Sequence, residues 1–303
     1  MGRFWALLRF ACQLTQIRLS STPRIDLEIA YDPIGVRVSG WALGKPATVI
    51  HHHHEVIVRD GHRHAPAAID ALTRADLVTV ADTWRAELIH KLKPGLRHVR
   101  ALRNFPLKEL AADRLVEKSS NFSVVYFGSR GSAQCLDTVV KSMDRWPPDV
   151  TLHLYGRPNS EFDAHLLKLA SAIGIEHRLK FEGWAQFDKL FERVARHHLG
   201  LSLLRPTEDN WRYSAGASNK RFQLMAYGLP QITDNGVGVA EMISGAGISV
   251  CPEDPAAIAD AVCAYSSDPT RVENEGRAGR NRIRNELNQE NEFDPILKFA
   301  GFQ

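Results

Sequence analysis

Residues 218–241, SNKRFQLMAYGLPQITDNGVGVAE, give the strongest indication of the fold. Ser218 and Asn219 are residue types that favour the start of a helix, and the apolar residues after them recur at helical spacing. Gly228 can end that helix in a left-handed conformation. Pro230 can then begin a short strand, since the first residue of a strand need not donate a hydrogen bond.

This order of elements predicts a site for a phosphate group. The start of the helix offers unpaired backbone N–H groups, and Lys220 and Arg221 lie beside them in the sequence. After the strand, the turn formed by Gly236, Val237 and Gly238 lets the backbone approach a ligand closely.

Strand-like and helix-like segments alternate along almost the whole chain, which indicates parallel sheets flanked by helices. The polar segment Phe105–Asn121 interrupts this alternation and resembles a link between domains. We therefore predict an α/β fold with two Rossmann-like parallel-sheet domains, residues 1–112 and residues 113–303, facing a cleft that holds the ligand. The predicted strands are 25–31, 47–53, 76–82, 98–104, 122–128, 150–156, 178–184, 199–205 and a short one after Pro230.

The net charge and the cysteine spacing limit the kinds of ligand, partner and compartment that the sequence predicts. A formal charge of +3 suits an anionic small ligand or an acidic membrane surface, and no basic run with interleaved aromatic residues predicts a nucleic-acid partner. The four cysteines are scattered without metal-ligand spacing, which favours free thiols in a reducing, cytoplasmic compartment.

The N-terminal segment FWALLRFACQLTQIRL has two interpretations. Its apolar spacing predicts a surface helix that packs on the first domain. Its aromatic and basic residues, without an acidic residue before Asp26, are also typical of an interfacial helix, so residues 3–19 could place the protein at the inner face of a membrane.

Residues 218–241 resemble the donor-binding half of GT-B "group 1" (family 4-like) retaining glycosyltransferases. That family's order of motifs appears here as SNK, FQ, MA, YGLPQI, NGVG and Glu241. Successive strands of the second domain end in the similar motifs FGS, HLYGR, FEGW and LSLLRP, and the first domain carries AYDPIGV, HHHHEV, ADLVTVAD and RNFP. The resemblance runs from about Ile25 to the end of the second domain.

The resemblance implies transfer of a sugar, with retention, from a nucleotide-diphosphate donor to a polysaccharide or lipid-linked acceptor. Cations and helix N–H groups, rather than a metal or cofactor, would stabilise the departing diphosphate. Lys220 is the first candidate for this role and Arg130 the second, whereas Arg205 and Arg221 are weaker. The implied donor-binding residues are Gly128, Arg130, Trp184, Arg205, Asn219, Lys220, Gln223, Gly236, Val237 and Gly238, with Glu241 as a catalytic candidate and Tyr155 and Gly156 on the nucleotide side.

Several of these residues also have an ordinary structural interpretation. Lys220 and Arg130 could be surface charges, and Glu241 could be an N-cap or first-turn acid of the next helix. Trp184 could belong to ordinary core or loop packing.

The chain departs from the family's pattern at two acidic positions, where it has Ala215 and Gln223. The glutamine can still hydrogen-bond a ribose hydroxyl, but the alanine cannot replace a carboxylate. The first domain is predicted to be truncated relative to the family's acceptor domain, because a helix leads almost directly into the AYD strand. Either the protein is naturally shortened, or its true start lies upstream of Met1. These departures favour an alternative, a catalytically inactive GT-B-like binding or scaffold subunit. A sugar-nucleotide epimerase of the same architecture would need acidic and histidine groups positioned for that reaction on the donor domain, and the sequence shows no such arrangement.

The run HHHHEV, residues 51–56, also has more than one interpretation. Consecutive histidines on a strand point to opposite faces, so they cannot all bind one metal ion. The resemblance places a histidine at this strand end near the reacting sugar, which makes His54, with Glu55, a catalytic candidate. A solvated histidine cluster is the alternative.

Overall fold

The computed structural model describes residues 9, 11–16, 19, 26–43, 48–56, 65–112 and 116–302. Its internal contacts divide the chain into two compact units, residues 1–103 with 293–303 and residues 104–292. This division differs from the predicted domains, 1–112 and 113–303, in the position of the linking segment and of the C-terminal residues.

The predicted N-terminal helix is only partly within the described residues. Residues 11–16 are helical, whereas most of the remainder of residues 3–19 lies outside the described part of the chain. None of the helices in that described part is long and apolar enough to cross a bilayer. Membrane contact through residues 3–19 therefore stays a prediction.

The first unit is a four-stranded parallel sheet in the order β1-β2-β3-β4, as far as its residues are described. Its elements confirm the predicted alternation of strands and helices: β1 Leu27–Tyr31, α1 Asp32–Leu43, β2 Thr48–His53, α2 Ala65–Arg74, β3 Leu77–Val80, α3 Thr83–Leu92 and β4 Val99–Ala101. Asp82 caps α3 by accepting a hydrogen bond from the backbone N–H of Trp84.

The hydrophobic C-terminal segment completes the core of the first unit. Ile296 is buried against Ile50, Leu77 and Leu102, with Phe293 beside them. This packing confirms the prediction that the segment ILKFAGF packs back on the body of the protein.

The second unit is a six-stranded parallel sheet in the order β10-β9-β8-β5-β6-β7 within its described residues. Its strands are β5 Ser123–Phe127, β6 Thr151–Tyr155, β7 Leu179–Gly183, β8 Leu199–Ser202, β9 Gln231–Asp234 and β10 Gly247–Val250. Its helices are α4 Leu136–Ser142, α5 Ser160–Ala172, α6 Phe187–Val194, α7 Asp209–Arg212, α8 Asn219–Ala226, α9 Val239–Met242, α10 Pro255–Ser266 and α11 Pro269–Asn285, and α12 Gln289–Phe299 leads back to the first unit. The segment Lys108–Ala111, in the predicted link, forms a turn of 3₁₀ helix.

Among the α-helices and strands in the described residues of the second unit, α7 and β10 were not predicted from the sequence patterns. Strand β5 lies between β8 and β6, and its five residues are all buried. Because every strand is parallel, the loops after β5, β6, β7 and β9 emerge at one edge of the sheet, where open α/β sheets bind ligands.

Helix α11 packs against the end of α8 through a glycine. A Cβ atom on Gly276 would lie 2.2 Å from the carbonyl oxygen of Gly228. Glycine-to-alanine changes inside helices usually stabilise by about 1 kcal/mol, but we expect Gly276→Ala to lower the free energy of unfolding by about 1–3 kcal/mol, because the methyl group overpacks the contact.

Chemical denaturation measures this effect. The matched control is Gly35→Ala in α1, where the nearest atom to the new Cβ, that of Ala30, is 3.7 Å away. We expect this control to be as stable as the wild type or more stable. A Gly276→Ala protein that is also as stable as the wild type would contradict the close approach of α11 and α8.

Candidate functional site

The side chain of Lys220, in the first turn of α8, lies against the end of β5. Its Nζ atom is 3.8 Å from the centroid of the Tyr126 ring, and a Cβ atom on Gly128 would lie 3.5 Å from the same nitrogen. Among the described residues, Nζ has no hydrogen-bond or ion-pair partner. Burial, and secondarily the charge of Arg221, lowers the pKa of Lys220 to about 7. An anion beside Gly128 would supply the missing partner.

The loop after β5 fits closely against the end of β6. Gly128 has a φ of +123° and donates its N–H to the carbonyl of Tyr155 at 3.0 Å. A Cβ atom on Gly156, whose φ is +143°, would lie 2.1 Å from the carbonyl oxygen of Gly128. Gly156 in turn donates to the carbonyl of Gly183, at the end of β7. Glycines therefore let three strand ends meet without side chains between them.

Arg130 is buried and paired, which answers the question of whether it is a solvated surface charge. Its Nε and Nη2 atoms donate to the two carboxylate oxygens of Asp163, at 2.6 and 2.7 Å. The remaining nitrogen, Nη1, is buried without a hydrogen-bond partner among the described residues, and it faces Gly156, where a Cβ atom would be 3.4 Å away. Asp163 thus fixes Arg130 and leaves one donor for another group.

A cavity of about 290 Å³ opens beside these glycines. Trp184, directly after β7, borders it with 57% of its surface exposed. The lining residues are Phe127, Gly128, Ser129, Tyr155, Gly156, Arg157, Trp184, Ala185 and Leu190. The cavity brings Gly128, an implied donor-binding residue, together with Trp184, Tyr155 and Gly156, which the resemblance assigns to the nucleotide side. Because more than half of its surface is exposed, Trp184 is not packed into the core.

The glycine-rich turn after β9 is held by its own backbone and by Asp234. The N–H of Gly236 donates to Oδ1 of Asp234 at 2.9 Å, and Val237 donates to the carbonyl of Arg212 at 3.2 Å. Gly238 has a φ of +73° and begins α9. Glu241 is exposed and lies in the first turn of that short helix. Its position is the one expected of a first-turn acid, and its catalytic role stays a prediction.

Arg221 does not lie open beside the helix start as the sequence suggested. The side chain is fully buried and donates to the carboxylate of Asp234 and to the carbonyls of Ser214 and Ala215. Helical periodicity explains the difference, because Arg221 shares the inward face of α8 with its buried apolar neighbours.

The remaining donor-site candidates have different environments. Arg205 follows β8 and is paired with Glu253 at 3.0 Å and Asp137 at 3.5 Å, so its charge is already balanced. Asn219 is exposed at the start of α8, and Gln223 is half-buried one turn later.

In the first unit, four consecutive histidines lie at the end of β2 and just after it. His51, His52 and His53 are buried, whereas His54 and Glu55 are exposed just after the strand. In the described part of the chain, both ring nitrogens of His53 lack a hydrogen-bond partner, and burial lowers the pKa of His53 to about 3. The alternation of side chains along a strand predicts that His53 and His54 point to opposite faces of the sheet. It does not predict which of these two faces is buried by the rest of the protein.

Across the described residues, no group of three or more histidine, cysteine or acidic side chains could hold a metal ion. The catalytic role assigned to His54 and Glu55 lies in a different unit from Lys220 and stays a prediction.

Comparison with known proteins gives a family match within the second unit. Residues 121–268 match the family model described as "Glycosyl transferases group 1". No curated protein matches the sequence.

Solved structures match almost the whole chain. HepE from Anabaena in complex with UDP and glucose matches with a TM-score of 0.75 and 16% identity over 99% of this chain and 83% of that chain. Sucrose-phosphate synthase from Thermosynechococcus elongatus matches with 0.72 and 16% over 99% and 79%. The lipopolysaccharide outer core galactosyltransferase WaaB in its apo form matches with 0.67 and 16% over 98% and 81%. These likenesses confirm the predicted GT-B type of fold, with two parallel-sheet α/β units.

Proposed function

Residues 121–268 form a domain of the group 1 glycosyltransferase family, and on that premise we propose that the protein transfers a sugar from a nucleoside-diphosphate donor to a polysaccharide or lipid-linked acceptor. The second unit binds the donor, and the configuration at the anomeric carbon is retained. Neither a metal nor a cofactor takes part in this scheme.

The unpaired ammonium of Lys220 is the observation that carries this proposal. Its Nζ lies against Gly128 and has no anionic partner among the described residues. A diphosphate at this place would accept charge-assisted hydrogen bonds from Lys220 and from the open Nη1 of Arg130. Both cations are held in place before the ligand arrives, so they can stabilise the negative charge that grows on the leaving diphosphate.

The cavity beside Trp184 suits the nucleoside. Its lining combines an exposed indole ring with the close backbone of Gly156, and such surfaces stack on and hydrogen-bond a base. The relative from Anabaena was solved with UDP, which supports a uridine nucleotide as the first donor to test. Gln223 would hydrogen-bond the ribose through its amide.

The remaining roles follow from the family's pattern. Glu241, next to the glycine-rich turn, and His54 with Glu55 in the first unit are assigned to the reacting sugar. The acceptor is a glycan or a lipid-linked sugar. The basic and aromatic residues 3–19 would place the protein at the inner face of a membrane.

A second candidate function is a donor-binding or scaffold subunit without transferase activity. It is favoured by Ala215 and Gln223, which stand where many family members have glutamates. Ala215 is fully buried and its carbonyl accepts a hydrogen bond from Arg221, and its methyl side chain offers no polar group to a sugar.

A thermal-shift panel of UDP, GDP and CMP and their sugars tests the proposal. A nucleotide present at 100 times its Kd stabilises the folded state by about 2.7 kcal/mol, so we expect one nucleotide class to raise the unfolding midpoint. If none of them does, the donor site does not exist.

Release of free sugar separates the two candidate functions. We expect the wild type to release UDP and sugar slowly from the bound donor even without an acceptor, and NMR of the new sugar should show a retained anomer. Binding without any release, also in the presence of glycan acceptors, would favour the inactive subunit.

A further inference from the structure

We propose that Arg221 is a positioning residue for donor binding, whose buried guanidinium holds three segments of the candidate site in register. These segments are the loop of residues 212–215, helix α8 with Lys220, and the turn of residues 236–238. The inference rests on the proposed function, because it assigns Arg221 to the donor site of that reaction.

The guanidinium of Arg221 joins the loop before α8 to the end of β9. Nη1 donates to the carbonyl oxygens of Ser214 at 2.7 Å and Ala215 at 3.1 Å. Nη2 donates to Oδ2 of Asp234 at 3.1 Å, and both Nε and Nη2 lie within 3.3 Å of the hydroxyl of Thr233. The planar fork of an arginine can make these contacts together, which a lysine cannot.

Asp234 extends the connection to the glycine-rich turn. Its Oδ2 is bound to Arg221, while its Oδ1 accepts the N–H of Gly236 at 2.9 Å. A Cβ atom on Gly236 would lie 2.7 Å from Oδ1 and 3.2 Å from the carbonyl oxygen of Arg212. Val237 donates to that same carbonyl. The turn of residues 236–238 is therefore hydrogen-bonded to Asp234 and to the carbonyl of Arg212. Arg221 contacts Asp234 directly and binds the carbonyls of Ser214 and Ala215, close to Arg212 in the same loop.

The same network anchors these segments to the sheet. Gln231 donates through Nε2 to the backbone carbonyl of Arg221 at 3.0 Å and accepts from the hydroxyl of Ser202 at 2.6 Å. The hydroxyl of Thr233 donates to the carbonyl of Ser202 at 3.2 Å. These hydrogen bonds hold helix α8 in a fixed position against strands β8 and β9, and they thereby fix the position of Lys220.

Burial of this pair argues for a geometric role. The side chains of Arg221 and Asp234 are 0% and 1% exposed, and a buried ion pair often stabilises no more than well-packed apolar residues of similar volume. What the pair supplies in addition is a fixed arrangement of the backbone at residues 214–215, in helix α8 and at the turn after β9. The charge of Arg221 also contributes to the lowered pKa of Lys220.

The test compares UDP binding with stability in two buried arginine variants. Arg221→Lys keeps a positive charge but loses the fork. Its control, Arg178→Lys, changes a buried arginine of the same unit, which donates to the carbonyls of Pro147 and Val150 before β6, at the opposite edge of the sheet. Calorimetric titration gives the Kd for UDP, or for the nucleoside diphosphate that stabilises the wild type in the panel, and chemical denaturation gives the stability.

We expect Arg221→Lys to weaken UDP binding about tenfold or more, as displaced binding groups do, and Arg178→Lys to keep the wild-type Kd at a comparable loss of stability. If Arg221→Lys does not fold, the nearly isosteric Asp234→Asn is expected to give the same loss of binding. A wild-type Kd in the folded variant overturns the positioning role but leaves the proposed function standing. Failure of the wild type to bind any nucleoside diphosphate overturns the proposed function itself.

Discussion

Lys220→Met is expected to weaken UDP binding about 100-fold, because a hydrogen bond to a charged group in a partly buried site contributes roughly 1.5–3 kcal/mol. Methionine keeps the length of the side chain and its packing over the ring of Tyr126. The variant therefore removes the ammonium without leaving a large cavity. Calorimetric titration of the wild type and the variant with UDP at the same pH measures the effect.

A second lysine of the same unit serves as the control. Lys180 is exposed on β7, so Lys180→Met changes the net charge equally but should leave the Kd for UDP unchanged. A loss of binding in both variants would indicate a long-range effect of charge. Unchanged binding in Lys220→Met would contradict the placement of the diphosphate at Gly128.

The alternation of strand-like and helix-like segments predicted the parallel sheets well. Strands buried on both faces, such as Ser123–Phe127, are almost continuously apolar and are therefore easy to find in the sequence. Strand β10 was missed because it begins with a glycine, Gly247, whose φ is +157°. A Cβ atom there would lie 2.3 Å from the carbonyl oxygen of Gln231, so this glycine reflects a close backbone approach that no periodicity reveals.

The candidate site was partly predictable for a related reason. The helix start with Lys220 and the glycine-rich turn could be found, because both are made of local sequence around α8. The pairings of Arg130 with Asp163 and of Arg221 with Asp234 join residues on different elements, and charged residues read from sequence alone are expected at the surface. Only the packed structure shows that these arginines are buried and already paired.

The lowered pKa of Lys220 also fixes how stability and binding depend on pH. In the ligand-free protein this lysine loses its proton near pH 7, whereas in the unfolded chain it keeps the proton up to about pH 10.5. Between these values the unfolded state binds more protons, so this group makes the free energy of unfolding rise with pH. That rise should be absent from Lys220→Met.

Donor binding should depend on pH in the opposite direction. A bound diphosphate favours the charged ammonium and raises the pKa of Lys220, so above pH 7 binding must take up a proton. We expect the Kd for UDP-glucose to be nearly constant from pH 6 to 7 and then to rise toward the linkage limit of about tenfold per pH unit. The diphosphate of this ligand is esterified at both ends and keeps its charge across the range, so a change in affinity reports on the protein.

Lys220→Arg is the control for the pH experiment, because an arginine stays charged at every pH used. Titrations at pH 6.5, 7.5 and 8.5 should show a rising Kd for the wild type and a flat one for this variant, whatever its absolute affinity. Uptake of protons can be checked independently by repeating one titration in buffers of different ionisation enthalpy. If the wild-type Kd is also flat, Lys220 keeps its proton without the ligand, and the free ammonium rather than a neutral amine occupies the site above pH 7.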